Sequence, residues 1–286
     1  PGTLAVAVLA ASPRCASALH YVLVERSPVL REHHGDHLPL APPATSLGVP
    51  GAGDGPVVVS LAELPATELV GVILANELLD NLAVDLLIRT DDGWGEIRIG
   101  VGYDSGGGQL VHHVVPAAEP AVSAAQRFAP DAPVGATIPW QRQAGDWVRD
   151  GLALLSAGRL VVIDYAVDTT AELARRPMHE WLRTYRGHDR AGDPLDTVGT
   201  ADITVEVCID QLAWAAGEPT SVRRQGEFLR AHGIDELVAE GRRVWDERAH
   251  LGDLAAIRGR SRITEADALL DRDGLGAFRV VEWTKA

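Results

Sequence analysis

Three acidic positions and one glycine carry the chemistry this chain could do. Glu25 closes the apolar run Tyr21-Val22-Leu23-Val24, Asn76-Glu77 closes Val70–Ala75, and Asp164-Tyr165 closes the run that starts at Arg159. Short β-branched apolar runs of this kind read as buried parallel strands. In an open α/β sheet, ligands sit beyond the carboxyl ends of the strands. Gly2-Thr3 opens a helical segment, and Glu25 lies 23 residues after Gly2 (25 − 2). In dinucleotide-binding units the acid that holds a ribose diol stands about 20 residues beyond the glycine turn. A carboxylate can accept both ribose hydroxyls, while glycine lets the backbone approach a ligand closely. Glu25 also reads as a solvated strand-end residue and Gly2 as a helix-start glycine, and spacing alone does not separate the two readings.

The elements that must position these residues follow from periodicity and punctuation. Thr3–Ala11 predicts a buried helix that Ser12-Pro13 ends, because proline excludes the helical conformation from the residue before it. Pro28–His34 reads as a helix with Ser27 as N-cap. Pro39–Pro56 reads as a surface loop, Val57–Ser60 as a strand, and the residues near Leu64 as a short helix. From Val84 to Val115 the texture changes to short strands separated by Asp91-Asp92-Gly93 and Gly106-Gly107-Gly108, the pattern of antiparallel hairpins. Ala117–Pro139 reads as a loop with a helical turn, and Gln143–Leu155 as an amphipathic helix ended by Gly158. Arg175–Asp202 is a long polar stretch, and Ile203–Ile209 follows it. Gln225–Glu240 is helical and interrupted at Gly233, and Phe278–Trp283 reads as a closing edge strand. Strands alternating with helices make a doubly wound sheet the expected architecture.

Composition narrows the partners. With 286 residues and a net charge of −14, the chain is large enough for one α/β domain with an insertion and too acidic to favour nucleic acid. No uncharged apolar run approaches the roughly 20 residues that span a bilayer, so no membrane partner is expected. Cys15 and Cys208 are the only two cysteines and lack metal spacing. The histidines at 33, 34, 37, 112 and 113 read as exposed helix and hairpin ends, and no metal is expected. A cytoplasmic location, or an organelle matrix in a eukaryote, fits this composition.

Longer runs then suggest a family. Tyr21–Arg31 and Ala75–Leu82 resemble the MidA-like methyltransferases, a group that includes the mitochondrial arginine methyltransferase involved in assembling respiratory complex I. Val162–Tyr165, Leu182–His188, Asp193–Leu195, Gly199 with Ala201–Thr204, Gln225–Leu229 and Gly274–Phe278 continue the likeness in the family's order. The resemblance implies a Rossmann-like, seven-stranded class I methyltransferase sheet with an antiparallel hairpin insertion. Residues 1–83 and 143–286 would form the core, and 84–142 the insertion, a surface for substrate, partner or dimerisation. It implies S-adenosylmethionine as cofactor and S-adenosylhomocysteine as product. Gly2, Glu25, Arg26, Ser60, Leu61, Asn76 and Glu77 fall at the cofactor positions, with Glu25 on the ribose. The glycine-rich turn is cut to Pro1-Gly2, so the native chain is expected to extend N-terminally. Ala83, Ala166, Glu206, Cys208 and His179-Glu180-Trp181 depart from the family's pattern, and the departures cluster on the predicted substrate side.

Methyl transfer is an in-line displacement at a sulfonium, so the protein mainly orients two partners and removes water. An arginine acceptor is protonated in water, and carboxylates must hold its guanidinium and draw off a proton. Glu77, Asp80, Asp164 and Asp202 are the candidates for that work. Tyr165, Tyr185, Arg186 and His188 are candidates for the acceptor side, the tyrosines offering an aromatic face to a cation. Asp80 reads more readily as a cap of the next helix, and Asp202 also reads as a cap of the turn before Ile203. A protein substrate is the expected partner, and exposed hairpins with an edge strand permit a homodimer. The open alternatives are a small-molecule acceptor, or a cofactor-binding or assembly protein with weak or no catalysis.

Overall fold

The computed structural model describes residues 2–43, 55–104, 107–187 and 189–286. His188 and most of the predicted 39–56 loop lie outside the described residues. By backbone proximity the chain divides into two compact units, one of residues 1–70 with 154–156 and one of 71–153 with 157–286.

In the first unit, strands β1 (His20–Val24) and β2 (Val57–Leu61) pair in parallel, with Val24 opposite Leu61. The helix Thr3–Ala10 places Ala5 against Leu23, Leu38 and Val58. It was expected to be buried, yet Leu4 and Val6 are exposed and only Ala5 is enclosed. Eight small and branched apolar residues without a polar face give no amphipathic stripe to orient the helix. Helix Pro28–Glu32 begins as predicted, with Ser27 Oγ accepting the Leu30 amide, and continues as a 3₁₀ turn over His33–Asp36. The short helix expected near Leu64 does not form, since Pro65 keeps its predecessor out of the helical region.

The second unit carries a mixed α/β arrangement of sheets with helices. Strand β3 (Leu69–Asn76) leads into it, followed by an antiparallel module of β4 (Asp85–Thr90), β5 (Gly93–Asp104), β6 (Gly107–Pro116) and β7 (Thr137–Trp140), in the order β6-β5-β4-β7. The helix Glu119–Phe128 and strand β7 occupy what reads as a loop. Ala121, Ala124, Ala125 and Phe128 are buried at helical spacing, a signal that the surrounding prolines obscure.

Strand β8 (Leu155–Asp164) follows the helix Arg142–Leu154 directly. Gly158 therefore does not end that helix. It lies inside β8 with φ +129°, and a Cβ there would meet the Gly71 carbonyl oxygen at 1.9 Å. Short strands β9 (Ala166–Val167), β10 (Leu182–Arg186), β11 (Asp189–Arg190), β12 (Asp202–Val205) and β13 (Val207–Cys208) come next. The predicted 203–209 run is thus broken at Glu206. Strands β14 (Ser221–Arg224) and β15 (Arg279–Lys285) complete a sheet ordered β14-β15-β8-β3. The closing strand is internal, paired on both sides, and not the edge expected from its terminal position. Among the described residues the sheets hold two, three, two, four and four strands.

A buried amide network anchors the chain around β13. Gln141 Nε2 donates to the Glu206 carbonyl at 2.9 Å, and its Oε1 accepts the Cys208 amide at 2.7 Å. Gln211 in turn accepts the Gln141 amide and donates to Pro139 and Thr170. Buried side-chain amides are retained when their donors and acceptors are satisfied, as here.

Candidate functional site

At the carboxyl ends of β1 and β2 the first unit gathers the residues predicted to face a nucleoside. Gly2 caps the first helix with φ +86°, a conformation that penalises any residue with a Cβ. That Cβ would also come within 3.1 Å of Leu38 Cδ1. Both the backbone conformation and the packing against Leu38 therefore call for glycine at this turn. Glu25 is half-buried and donates its amide to the Leu61 carbonyl at 2.9 Å. Its Oε1 accepts the Ser27 amide at 2.7 Å, and its second carboxylate oxygen suits a diol. Arg31 Nη1 donates to the Glu25 carbonyl at 2.7 Å, which fixes the strand end from behind. The Arg26 side chain is exposed, and Ser60 and Leu61 are half-buried. Ser60 Oγ lies 2.9 Å from Nδ1 of His34, a residue only 4% exposed and so not the surface histidine its sequence context suggests. The geometry of Gly2 and Glu25 fits a nucleoside-bearing cofactor.

In the second unit, the end of β3 is shaped by an unusual turn. Glu77 has φ +48°, in the left-handed region that non-glycine residues rarely adopt. Three contacts hold it there. The Glu77 amide donates to the Ile163 carbonyl at 2.9 Å, Asn81 Nδ2 donates to the Glu77 carbonyl at 3.3 Å, and Asn76 Nδ2 donates to Glu77 Oε1 at 3.4 Å. The result is an exposed carboxylate on a fixed backbone.

Beneath Glu77 lie two buried acids. Asp164, 1% exposed, accepts the Leu79 and Asp80 amides on Oδ2 at 3.0 and 3.3 Å and the Tyr165 amide on Oδ1 at 2.9 Å. Burial, and then the charge of Asp80, push its pKa up to about 7 against these amides. Asp80 is raised to about 6 by burial and the Glu77 charge, with an Asn81 hydrogen bond of 2.7 Å opposing. Neither of these aspartates presents itself to solvent as Glu77 does.

Of the residues predicted for the acceptor side, Tyr165, Tyr185 and Arg186 lie among the described residues. Tyr165 is half-buried, and its phenol is raised by burial and by the Glu77 and Tyr185 charges acting on it. Tyr185 stands opposite Asp202 across β10 and β12, and β12 packs against residues 79–81. Arg186 is exposed and donates to Thr200 Oγ1 at 3.0 Å. A cavity of about 500 Å³ opens over Tyr165, lined by Ala166, Arg183, Glu206 and Phe278 together with residues of the 273–277 turn. The Phe278 ring lies 3.9 Å from the Tyr165 ring, centroid to centroid. Glu206 is held by Arg176 through two bonds of 2.7 and 3.0 Å and by Arg183 at 2.7 Å, and that pairing raises the Arg176 pKa.

Arg176, Arg183, Glu206, Phe278 and His34 were not predicted as site residues. The sequence signals for Glu206 were a charged residue inside the 203–209 run and its departure from the family's pattern. Arg176 and Arg183 lie in a polar stretch that gives no local sign of a shared partner. Among the described residues, no helix is long and apolar enough to cross a membrane.

The family model described as "Putative S-adenosyl-L-methionine-dependent methyltransferase" matches residues 1–228. The chain is similar to a crystal structure of a COG1565 superfamily member from Burkholderia thailandensis bound to S-adenosyl-homocysteine, at 26% identity and a TM-score of 0.75. That alignment covers 99% of this chain and 68% of the other. A second structure, of an uncharacterized COG1565 superfamily protein from the same organism, aligns at 26% identity and a TM-score of 0.74, covering 99% and 71%. No curated protein matches. The family match takes in Gly2, Glu25, Glu77, Asp164 and Glu206, and the structural likeness extends over the remaining residues. This chain belongs to the S-adenosylmethionine-dependent methyltransferase family that the model describes, on a mixed α/β fold.

Proposed function

We propose that the chain transfers a methyl group from S-adenosylmethionine to an arginine of a partner protein, as a MidA-like methyltransferase. The observation that carries this reading is the exposed Glu77 carboxylate, held in a left-handed turn whose amide donates to the Ile163 carbonyl, two residues before Tyr165. A guanidinium pairs with a carboxylate through charge-assisted bonds and lies well on an aromatic face. Glu77 provides the first and Tyr165 the second. Gly2 and Glu25 hold the nucleoside, with Arg26, Ser60 and Leu61 around it and Asn76 steadying Glu77.

The cofactor supplies a methyl on a sulfonium. The residues do the rest: Glu77 orients the guanidinium nitrogen and takes up the proton it loses as the N–C bond forms and the S–C bond breaks. Asp80 and Asp164 support that turn from below, and Asp202, Tyr185 and Arg186 border the acceptor's approach, as His188 does in the family's pattern. The acidic net charge of −14 favours a basic acceptor segment in the cytoplasm or an organelle matrix.

The test is mass spectrometry of cell protein incubated with the chain and isotopically labelled S-adenosylmethionine. Label on arginine that disappears with Glu77→Gln supports the proposal. Label confined to small molecules, or no label with a bound cofactor, overturns the protein acceptor and leaves one of the two alternatives.

A further inference from the structure

We propose that His34 is a positioning residue of the nucleoside site, holding Ser60 and backing the Gly2 turn. This rests on reading Gly2, Glu25 and Ser60 as the nucleoside side. An imidazole taken out of water costs free energy unless its nitrogens find partners. His34 meets that demand with Ser60 Oγ, 2.9 Å from Nδ1, across 26 residues of sequence. Its neighbours His33 and His37 stay exposed, so the segment Ser27–His37 turns one histidine of three inward.

The inward position is specific. Ser60 lies in register with Leu23, two residues before Glu25, and Leu61 accepts the Glu25 amide. His34 Cδ2 would lie 3.9 Å from a Cβ at Gly2, so the ring packs beneath that turn. One side chain therefore touches both parts of the site, the glycine turn and the end of β2. The charged side chains acting on it are Glu25, which favours the imidazolium, and Arg31, which opposes it. Burial outweighs Glu25, and the pKa falls below its ordinary value. The shift favours the uncharged ring, whose Nδ1 shares one hydrogen bond with the Ser60 hydroxyl. That fixes the hydroxyl rotor and directs its remaining hydrogen-bonding capacity away from His34.

The experiment is isothermal titration of S-adenosylhomocysteine into the full chain and its variants, with thermal melting of each free protein. His34→Ala is expected to weaken binding about tenfold, the loss of one well-placed hydrogen bond. His34→Asn, whose amide reaches the place of Nδ1, should stay within about threefold of the parent. Ser60→Ala should match His34→Ala, and the double variant should be no weaker than either, because one interaction is removed twice. Parent-like affinity in His34→Ala, or losses that multiply in the double variant, overturns the proposal. If His34→Ala does not fold, the Asn and Ser60 variants decide. A residue that serves stability alone would lower the melting temperature and leave the affinity of the folded protein unchanged, which also overturns it. Glu25→Ala is the control for the underlying reading. Full affinity in that variant, or no uptake by the parent, removes the nucleoside site itself. Weakening by Glu25→Ala but not by His34→Ala removes only the role of His34.

Discussion

The Asp164 carboxylate accepts the Leu79 amide at 3.0 Å, joining two residues 85 positions apart. With the Asp80 and Tyr165 amides on the same carboxylate, this fastens the turn after β3 to the end of β8. Asp164→Asn keeps the volume but replaces one acceptor oxygen with a donor facing amide donors. A loss of about 1–3 kcal/mol in unfolding free energy is expected. Turnover should fall further than cofactor affinity, because the displaced element carries Glu77. Chemical denaturation and a comparison of kcat with S-adenosylmethionine Kd measure the two effects.

The buried acids also give stability a pH slope. Asp80 and Asp164 titrate at about 6 and about 7 in the folded chain, against about 3.9 for a free carboxyl. The folded state therefore binds more protons than the unfolded one across that interval. Their contribution is full below about pH 4 and is lost as pH rises through about 7. Urea unfolding of the parent should weaken between about pH 5 and pH 8 by up to a few kcal/mol more than that of the Asp80→Asn/Asp164→Asn double variant. Parallel pH profiles for the two proteins would show that the pair does not hold its protons.

Glu77 should display a conflict between stability and activity. Its left-handed backbone costs on the order of 1 kcal/mol for a residue with a Cβ. Glu77→Gly relieves that strain and is expected to raise the melting temperature slightly while abolishing methyl transfer. Glu77→Gln keeps the strain and the fold and should lower kcat by about 100-fold, the scale of a removed general base. Calorimetry beside a methylation assay separates the two substitutions.

Glu206 joins two arginines at the wall of the cavity over Tyr165. Glu206→Gln leaves Arg176 and Arg183 facing each other without the intervening charge. The cluster is mostly shielded from solvent, so a destabilisation of about 1–3 kcal/mol is expected. Added salt should recover little of it. Thermal melts at two ionic strengths test this.

The parts of this architecture written locally were readable. Apolar β-branched runs ending in Glu25, Asn76-Glu77 and Asp164 located β1, β3 and the end of β8. Glycine and aspartate pairs located the hairpins. What depends on distant pairing was not readable. Gly158 looks like a helix stop because its partner, Gly71, is 87 positions away (158 − 71). The closing strand looks like an edge because nothing near it announces β14 and β8 on either side. His34 looks like a surface histidine because the serine that draws it inward is on another strand. The Glu206 cluster has the same origin: its two arginines come from either side of the buried Trp181, one before the helix that ends there and one on β10.

The contact between Gly71 and Gly158 has a bearing on the two acids beyond it. Glu77 lies six residues after Gly71 and Asp164 six after Gly158 (77 − 71 and 164 − 158). Ser156 Oγ reaches the Leu69 carbonyl just before this crossing, so β3 and β8 advance together from a common mark. Two residues without side chains thus act as a ruler's zero, and the equal count delivers both carboxyls to the same level. Inserting or deleting one residue in either strand would turn its end to the opposite face and separate the acids. Drift in this enzyme is therefore free in the identity of the apolar residues along those six steps, but not in their number.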